Sequence, residues 1–297
     1  MAYHGEGFFA NPPPSRERPL LRRQRVLLSL ASLLSQRGRV SRTFLDKLLF
    51  LLKEEYSLDE HMPFYSFYPY NYGPFSQLFY YDLRKLKDAG CLLGERVTPL
   101  GVEKGQEIDA GVTEAVEDVV NRFATEEEAV KYVYSKYPEY TVKSKLLDSA
   151  AARVEPGFFT IGYEGKNIDS FLNILIQNKI TVLADVRYNA FSMNFAFTES
   201  KLVEYLSKVG IRYVHFKYLG IPGEKRKELD SPQAYEELFD EYSRTILPAN
   251  MAHFKRLEEL GRKERVALLC FEKDATFCHR GVIAHKLEGA GFEVGNL

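Results

Sequence analysis

The second half of the chain alternates short apolar runs with segments of helical periodicity, and this alternation constrains its fold more than any other feature. The apolar runs predict five strands, at 158–161, 181–184, 211–216, 266–269 and 292–294. Helices are predicted between them, at 168–178, 199–209, 231–247, 251–260 and 281–288. Such an order requires right-handed crossovers. We therefore predict an α/β fold of Rossmann-like type, with a mostly parallel sheet and helices on both faces.

The first half has a different pattern, in which helices dominate. Helical periodicity predicts helices at 20–36, 42–56, 75–89, 113–123 and 126–136. One strand is predicted at 63–69, and two short strands at 91–93 and 96–98. Helices followed by a small hairpin are typical of a winged helix, an architecture that binds DNA. The predicted organisation is a flexible tail at 1–19, a helical interaction domain at 20–141, a linker at 142–156 and an α/β domain at 157–297.

Composition sets limits on where such a chain can act. The net charge is −1, so any surface for nucleic acid must be local rather than global. The sequence has no apolar run of about 18 residues, and its start lacks the order of a signal peptide. We expect a cytoplasmic protein that does not enter the membrane. The chain has three cysteines, Cys91, Cys270 and Cys278. A small and odd number of cysteines argues against a framework of disulfide bonds.

Polar side chains follow four of the predicted strands. The carboxyl ends of parallel strands meet at one edge of a sheet, where ligands bind. We therefore expect these residues to converge on a pocket. The residues predicted to bind substrate are Gly162, Tyr163, Glu164, Gly165, Arg187, Ser192, His215 and Arg280. The residues predicted to be catalytic are Asp185, Glu272, Cys278 and His279.

Each predicted catalytic residue has a chemical reason. Cys278 precedes a helix and Arg280, both of which favour a thiolate nucleophile, and His279 is a candidate general acid or base. The carboxylates Asp185 and Glu272, together with Glu164, are suited to cleaving or transferring a glycosidic bond in a nucleotide or nucleic acid. A cysteine-dependent phosphatase is excluded, because its Cys-x5-Arg motif would need arginine where this chain has Ala284.

Other interpretations of these residues remain open. Cys270, Cys278 and His279 are zinc-type ligands, so zinc or iron is an alternative to the absence of a cofactor. Cys270 also continues an apolar strand and is expected to pack as a small hydrophobic residue. Structural ion pairs, Asp185 with Arg187 and Glu272 with Arg280, would explain the charged residues without any catalysis.

Two resemblances follow from short motifs. The motifs Thr-Ile-Gly-Tyr-Glu-Gly at 160–165, Asp-Val-Arg at 185–187, Tyr-Val-His-Phe at 213–216 and Cys-His-Arg at 278–280 resemble the family called domain of unknown function 488, over residues 158–297. Members of that family often carry proline and a basic residue near a serine after Asp-Val-Arg. Here Ser192 keeps the serine position, but the basic residue is missing. This resemblance implies no particular activity.

The first half resembles the Panacea domain, an antitoxin module found beside many unrelated toxins. The resemblance rests on Lys-Leu-Leu-Phe at 47–50, Tyr-Gly-Pro-Phe-Ser at 72–76 and Gly-Cys-Leu at 90–92, and it covers residues 20–140. It implies a helical module that binds a partner, with a possible role in defence.

Two functional hypotheses result. In the first, the chain is an enzyme that acts on a nucleotide or nucleic acid, and its helical domain recognises nucleic acid or a partner protein. In the second, the chain is an antitoxin-like regulator whose α/β domain senses a small ligand.

Overall fold

The computed structural model describes residues 19–106, 108–147, 154–226 and 231–297. Most of the predicted tail and the middle of the predicted linker lie outside these ranges. Among the described residues, every helix is too short or too polar to cross a bilayer.

Helices dominate the first half, with two small antiparallel hairpins between them. The helices are α1 (Arg22–Gln36), α2 (Arg42–Tyr56), α3 (Leu58–His61), α4 (Gln77–Asp88), α5 (Pro99–Gly105), α6 (Ala110–Asn121) and α7 (Glu126–Lys136). The first hairpin pairs β1 (Tyr68–Tyr70) with β2 (Gly73–Phe75), and the second pairs β3 (Leu92–Leu93) with β4 (Arg96–Val97).

Local interactions explain two differences from the predicted elements. The strand predicted at 63–69 shrinks to β1, because only that part pairs with β2. The helix predicted from residue 75 begins at Gln77, because the Ser76 hydroxyl accepts a hydrogen bond from the Phe79 N–H and caps the helix there. Leucine and valine side chains from α1, α2 and α6 pack in one buried cluster.

The second half forms a five-stranded parallel sheet, as predicted. Its strands are β5 (Gly157–Gly162), β6 (Val182–Asp185), β7 (Arg212–His215), β8 (Arg265–Cys270) and β9 (Val294–Asn296). Its helices are α8 (Ile168–Gln177), α9 (Glu199–Lys208), α10 (Pro232–Glu241), α11 (Leu247–Ala249), α12 (Met251–Gly261) and α13 (His279–Gly289), and a π-helical turn at Tyr242–Ile246 joins α10 to α11. The strand order is β7-β6-β8-β5-β9, so β8 lies at the centre.

Successive residues of the central strand pack on opposite faces of the sheet. Ala267 and Leu269 belong to a cluster with α8 and α9, whereas Val266 and Leu268 belong to a cluster with α12 and α13. This period of two is the geometry of a strand buried on both faces. The prediction of an α/β fold with helices on both faces is confirmed.

The two halves contact each other through the first hairpin and α8. The ring of Tyr68, on β1, is buried in the same cluster as Phe171 and Leu175 of α8. The carboxylate of Asp169, at the start of α8, accepts hydrogen bonds from the Ser76 hydroxyl and from the N–H groups of residues 77 and 78. Asp169 thus serves as a capping group for α4, a helix of the other half.

Candidate functional site

The segment from the end of β8 to the start of α13 carries two thiols and an imidazole. Cys270 is the last residue of β8, Cys278 is the N-cap of α13, and His279 is the first residue of that helix. Arg280 fixes the loop, because its guanidinium donates hydrogen bonds of 2.6 and 2.9 Å to the main-chain carbonyls of Glu272 and Lys273. Arg280 is 1% exposed. Its described contacts make it a support of the loop rather than a substrate ligand.

Cys270, Cys278 and His279 form a buried cluster, which we call the Cys–His cluster. The Nδ1 atom of His279 lies 3.9 Å from the Cys270 Sγ and 3.8 Å from the Cys278 Sγ. The three ligand atoms all lie within 4.8 Å of one another, so the cluster could hold a metal ion. The expectation that Cys270 only packs in the core is therefore incomplete, because its sulfur also faces the other two residues.

A carboxylate and a guanidinium lie beside this cluster. The Glu272 Oε1 is 3.2 Å from the Nη2 of Arg226, and the same nitrogen is 3.4 Å from His279 Nδ1. Burial, and then the charge of Cys270, raise the pKa of Glu272 above its ordinary value. The predicted pair of Glu272 with Arg280 is wrong, since Arg226 is the ionic partner and Arg280 contacts only the main-chain carbonyl of Glu272.

The two thiols have different acidities. A hydrogen bond from Cys278, with further help from His279 and Arg226, lowers the pKa of Cys270 well below its ordinary value. Burial, and then the neighbouring sulfur of Cys270, raise the pKa of Cys278. The helix N-terminus and Arg280 were expected to favour a thiolate at Cys278, but burial outweighs them. The thiolate is favoured at Cys270.

Asp185 and Arg187 form the ion pair that was predicted as their structural role. The guanidinium donates to both carboxylate oxygens, at 2.5 to 3.1 Å, and Tyr213 donates a further hydrogen bond of 2.7 Å. The Asp185 side chain has no exposed surface. Arg187 also donates to the Tyr163 hydroxyl and to the Phe197 carbonyl. These contacts occupy both side chains and argue against catalysis by Asp185 or substrate binding by Arg187.

The residues after β5 support the same edge of the sheet. The buried Tyr163 hydroxyl donates to the Ser192 hydroxyl, and the exposed Glu164 carboxylate accepts a 2.8 Å hydrogen bond from the Lys273 N–H. A Cβ atom on Gly162 would lie 1.8 Å from the Glu272 carbonyl oxygen, so only glycine allows these two segments to approach. Gly165 has a φ of +73° and open space around it. Tyr163 and Ser192 are therefore buried side chains that bond to each other and support the site.

An open cleft of about 1080 Å³ lies beside this framework. Its lining includes Tyr188, Phe191, His215, Lys217 and the first residues of α9. The ammonium group of Lys217 lies 5.1 Å from the centre of the Tyr188 ring. Of the predicted site residues, His215 is the one that lines this cleft.

A short piece of backbone separates the cleft from the Cys–His cluster. His279 Nε2 lies 2.8 Å from the Val186 carbonyl, and His215 Nε2 lies 2.8 Å from the carbonyl of the next residue, Arg187. Two imidazoles therefore contact consecutive carbonyls at the end of β6. One belongs to the cluster, and the other lines the cleft.

The sequence prediction missed two charged groups at the site, the cations of Arg226 and Lys217. Lys217 begins a short 3₁₀ turn and Arg226 directly follows another, and such turns are too short for periodicity to give a signal. The only sequence clue was position, since both follow β7, whose end was already assigned to the predicted pocket. Lys217 supplies a positive charge near Tyr188, close to the loop in which the expected basic residue is missing.

Fold and site together define a parallel α/β protein with a buried Cys–His cluster and an open cleft at the carboxyl edge of its sheet. Residues 167–287 match the model of the family described as Domain of unknown function DUF488. The α/β region is therefore similar to that family, as its motifs indicated. No curated protein and no solved structure matches the chain.

Proposed function

We propose that the α/β region is an enzyme that hydrolyses or transfers part of a nucleotide or nucleic acid bound in the cleft, with Glu272 as the proton-transferring group. The observation that carries this proposal is the pair of histidine contacts to the consecutive carbonyls of Val186 and Arg187. These contacts link a ligand-sized cleft to a buried cluster of reactive side chains. Such an arrangement is typical of sites built for chemistry.

The lining of the cleft suits a nucleotide. Tyr188 and Phe191 offer aromatic faces, on which a base can stack. Lys217 offers a positive charge for phosphate, and the N-terminus of α9 also lies in the lining. Glu199 and Glu224 also line the cleft, and their carboxylates can accept hydrogen bonds from ribose hydroxyls or base amino groups.

Arg226 connects the cleft to the proton-transferring group. Pro222, Gly223 and Glu224 line the cleft, and Arg226 follows them and pairs with Glu272. The Glu272 Oε2 is buried and accepts no hydrogen bond from the residues that the structure describes. This free oxygen and the raised pKa of Glu272 favour a role in general acid–base catalysis.

The reaction step is a proton transfer coupled to displacement. The Glu272 carboxylate takes a proton from water while the water oxygen forms a bond to the electrophilic carbon or phosphorus. The bond to the leaving group breaks, its electron pair goes to the leaving atom, and the Glu272 carboxyl returns the proton to that atom. In the transfer reaction, a substrate hydroxyl replaces water.

Binding is tested first, with AMP, ATP, NAD and a short single-stranded oligonucleotide as probes. Calorimetry on the full chain is expected to show binding that weakens at least tenfold in Lys217→Ala. The matched control, Lys255→Ala, removes an exposed lysine elsewhere and should leave the affinity unchanged. If none of the four probes binds the wild type, or if both variants bind equally well, the nucleotide cleft is contradicted.

Catalysis is tested with Glu272→Gln, which keeps the shape of the side chain but cannot accept a proton. Turnover of whichever bound probe reacts is expected to fall about 100-fold or more, with little change in affinity. Glu293→Gln, at an exposed position, is the control. Full activity in Glu272→Gln would remove the carboxylate from the mechanism.

A second candidate is a regulator in which the helical half binds a partner and the α/β half senses a ligand. The supporting observation is a chain of contacts from the site to the helical half. The Glu164 carboxylate contacts the Lys273 N–H of the site loop, α8 begins a few residues later, and Asp169 of α8 caps α4. This candidate predicts that a bound ligand changes hydrogen exchange in α4, and that Glu272→Gln retains biological activity.

A further inference from the structure

We infer that Cys270, Cys278 and His279 bind one zinc-type divalent cation in a three-ligand site with an open fourth position. The site lies at the same edge of the sheet as the proposed catalysis. The inference does not depend on that proposal, because a protein can bind zinc here without being an enzyme. Zinc content and turnover are measured separately, so either proposal can fail alone.

The spacing of the ligand atoms matches tetrahedral zinc. Zinc–sulfur and zinc–nitrogen bonds of ordinary length place sulfur and nitrogen ligands about 3.6 Å apart. His279 Nδ1 is 3.9 Å from the Cys270 Sγ and 3.8 Å from the Cys278 Sγ. The two sulfurs lie within 4.8 Å of each other. Bound zinc would hold them about 3.8 Å apart, so loading the metal would draw the two thiolates together. All three side chains are at most 1% exposed, so they cannot turn towards solvent instead.

The imidazole is already oriented as a ligand. His279 Nε2 lies 2.8 Å from the Val186 carbonyl oxygen, which can only accept a hydrogen bond, so Nε2 carries the proton. The lone pair of neutral His279 is therefore on Nδ1, which faces the two sulfurs. Metal-bound histidines usually donate their other N–H to a carbonyl or carboxylate in this way. The ring of Tyr242, with its centre 5.8 Å from that of His279, packs against the imidazole.

The groups beside the cluster indicate an open site. Among the described residues, no fourth histidine, cysteine or carboxylate joins the group within the same distance. The nearby Glu272 has its Oε2 free of hydrogen bonds from the described chain, so it can hold a water on the metal or bind the metal itself. Two thiolates and one imidazole with a free position is a ligand set of catalytic zinc sites. Thiolates favour zinc over magnesium or calcium.

Arg226 is the competing cation. Its Nη2 atom is 3.4 Å from His279 Nδ1, and the guanidinium is close enough to Cys270 to donate a hydrogen bond. Zinc would displace this guanidinium from Nδ1, and Glu272 would keep it as an ionic partner. Zinc binds the thiolate forms of the two cysteines and releases any protons on them, so the affinity for Zn²⁺ should rise with pH.

The experiment measures metal on the full chain, kept reduced and stripped with a chelator before reloading. Elemental analysis after loading with Zn²⁺ should give about one zinc per chain. Co²⁺ in its place should give a thiolate-to-cobalt charge-transfer band. We expect Cys270→Ser, Cys278→Ser and His279→Gln each to weaken Zn²⁺ binding at least tenfold. Two controls, Cys91→Ala and His285→Gln, remove a thiol and an imidazole elsewhere and should retain the metal.

Arg226→Gln tests the zinc site even if the cysteine variants fail to fold. It leaves all three ligands intact and removes the competing cation, so Zn²⁺ should bind at least as tightly as in the wild type. A folded wild type that retains less than one-tenth of an equivalent of zinc overturns the inference. The same conclusion follows if Co²⁺ shows no charge-transfer band, or if the two controls lose metal as readily as the ligand variants.

Discussion

Asp169 is a carboxylate buried between the two halves of the molecule, and its environment makes stability depend on pH. Burial raises its pKa from 3.8 to about 7, although three hydrogen bonds from the start of α4 oppose the change. The pKa of Asp169 is higher in the folded state than in the unfolded state, so protonated Asp169 contributes its full stabilisation below about pH 4. This stabilisation is lost as the pH rises to about 7.

We therefore predict that the wild type loses stability relative to Asp169→Asn between pH 4 and pH 7, by about 4 kcal/mol at most. Asparagine keeps one of the two accepting oxygens and does not ionise, so the lost hydrogen bond lowers its stability by an amount that does not change with pH. Urea denaturation of both proteins across this range measures the difference. Asp46, whose pKa burial raises to about 6, is present in both proteins, and its charge is one of the causes that raise the pKa of Asp169. A difference that stays constant or grows with pH contradicts the prediction.

The buried ion pair of Asp185 and Arg187 gives a second prediction at this scale. Asp185→Asn removes one charge and leaves the guanidinium, 6% exposed, without a counter-charge. Loss of one partner of a buried pair costs about 3 to 5 kcal/mol. The free energy of unfolding, measured with urea, should fall by that amount. The control Glu204→Gln breaks only exposed pairs on α9 and should leave the free energy of unfolding nearly unchanged.

At the scale of elements, the approach of β5 to the loop after β8 depends on one glycine. Gly162→Ala would force the Glu272 carbonyl to move, because its oxygen lies 1.8 Å from the position of the new methyl group. We expect a loss of more than about 2 kcal/mol in the free energy of unfolding. Zinc affinity should fall with it, since Glu272 and Cys270 lie on the displaced segment.

A matched substitution on α6 should have the opposite effect. A Cβ on Gly111 would meet no other atom within 4 Å. Gly111→Ala should therefore stabilise the protein by about 0.5 to 1 kcal/mol. Thermal and urea unfolding of both variants make the comparison. If both alanine substitutions shift stability in the same direction, the short distance between Gly162 and the Glu272 carbonyl is not the reason that glycine is needed at 162.

The sequence predicted the features that depend on neighbouring residues and missed those that depend on residues far apart in the chain. Periodicity along the chain located the parallel strands, because β8 and its neighbours are buried on both faces and read as apolar runs. The convergence of Cys270, Glu272, Cys278 and His279 followed from the shared edge of parallel strands. Arg226 and Asp169 could not be found in this way. Their partners are 46 and at least 91 residues away, and tertiary packing alone brings them together.

At the scale of the whole molecule, a side chain from the first half completes the core of the second. Tyr68, on the first hairpin, is buried against α8, and Tyr72, on the same hairpin, is 57% exposed. Tyr68→Ala should destabilise the α/β half by about 3 kcal/mol, a cost typical of removing a buried aromatic ring. Tyr72→Ala should be nearly neutral.

Hydrogen exchange of the α8 amides measures this coupling directly. Protection in α8 should fall in Tyr68→Ala and stay at the wild-type level in Tyr72→Ala. If Tyr68→Ala loses protection only in the helical half, the two halves are energetically independent and the shared cluster contributes little to either.

The position of β8 at the centre of the sheet has a consequence for the order of synthesis. β8 pairs with both β5 and β6, yet it leaves the ribosome after all the other strands except β9. Until residue 270 has emerged, the nascent chain has β6 and β7 as one pair and β5 without a neighbour. Cys270 ends this strand, and Cys278 and His279 follow within nine residues, so the site can assemble only after the sheet has received its central strand. A nascent chain that stalls before this point exposes unpaired strands, which are prone to aggregate.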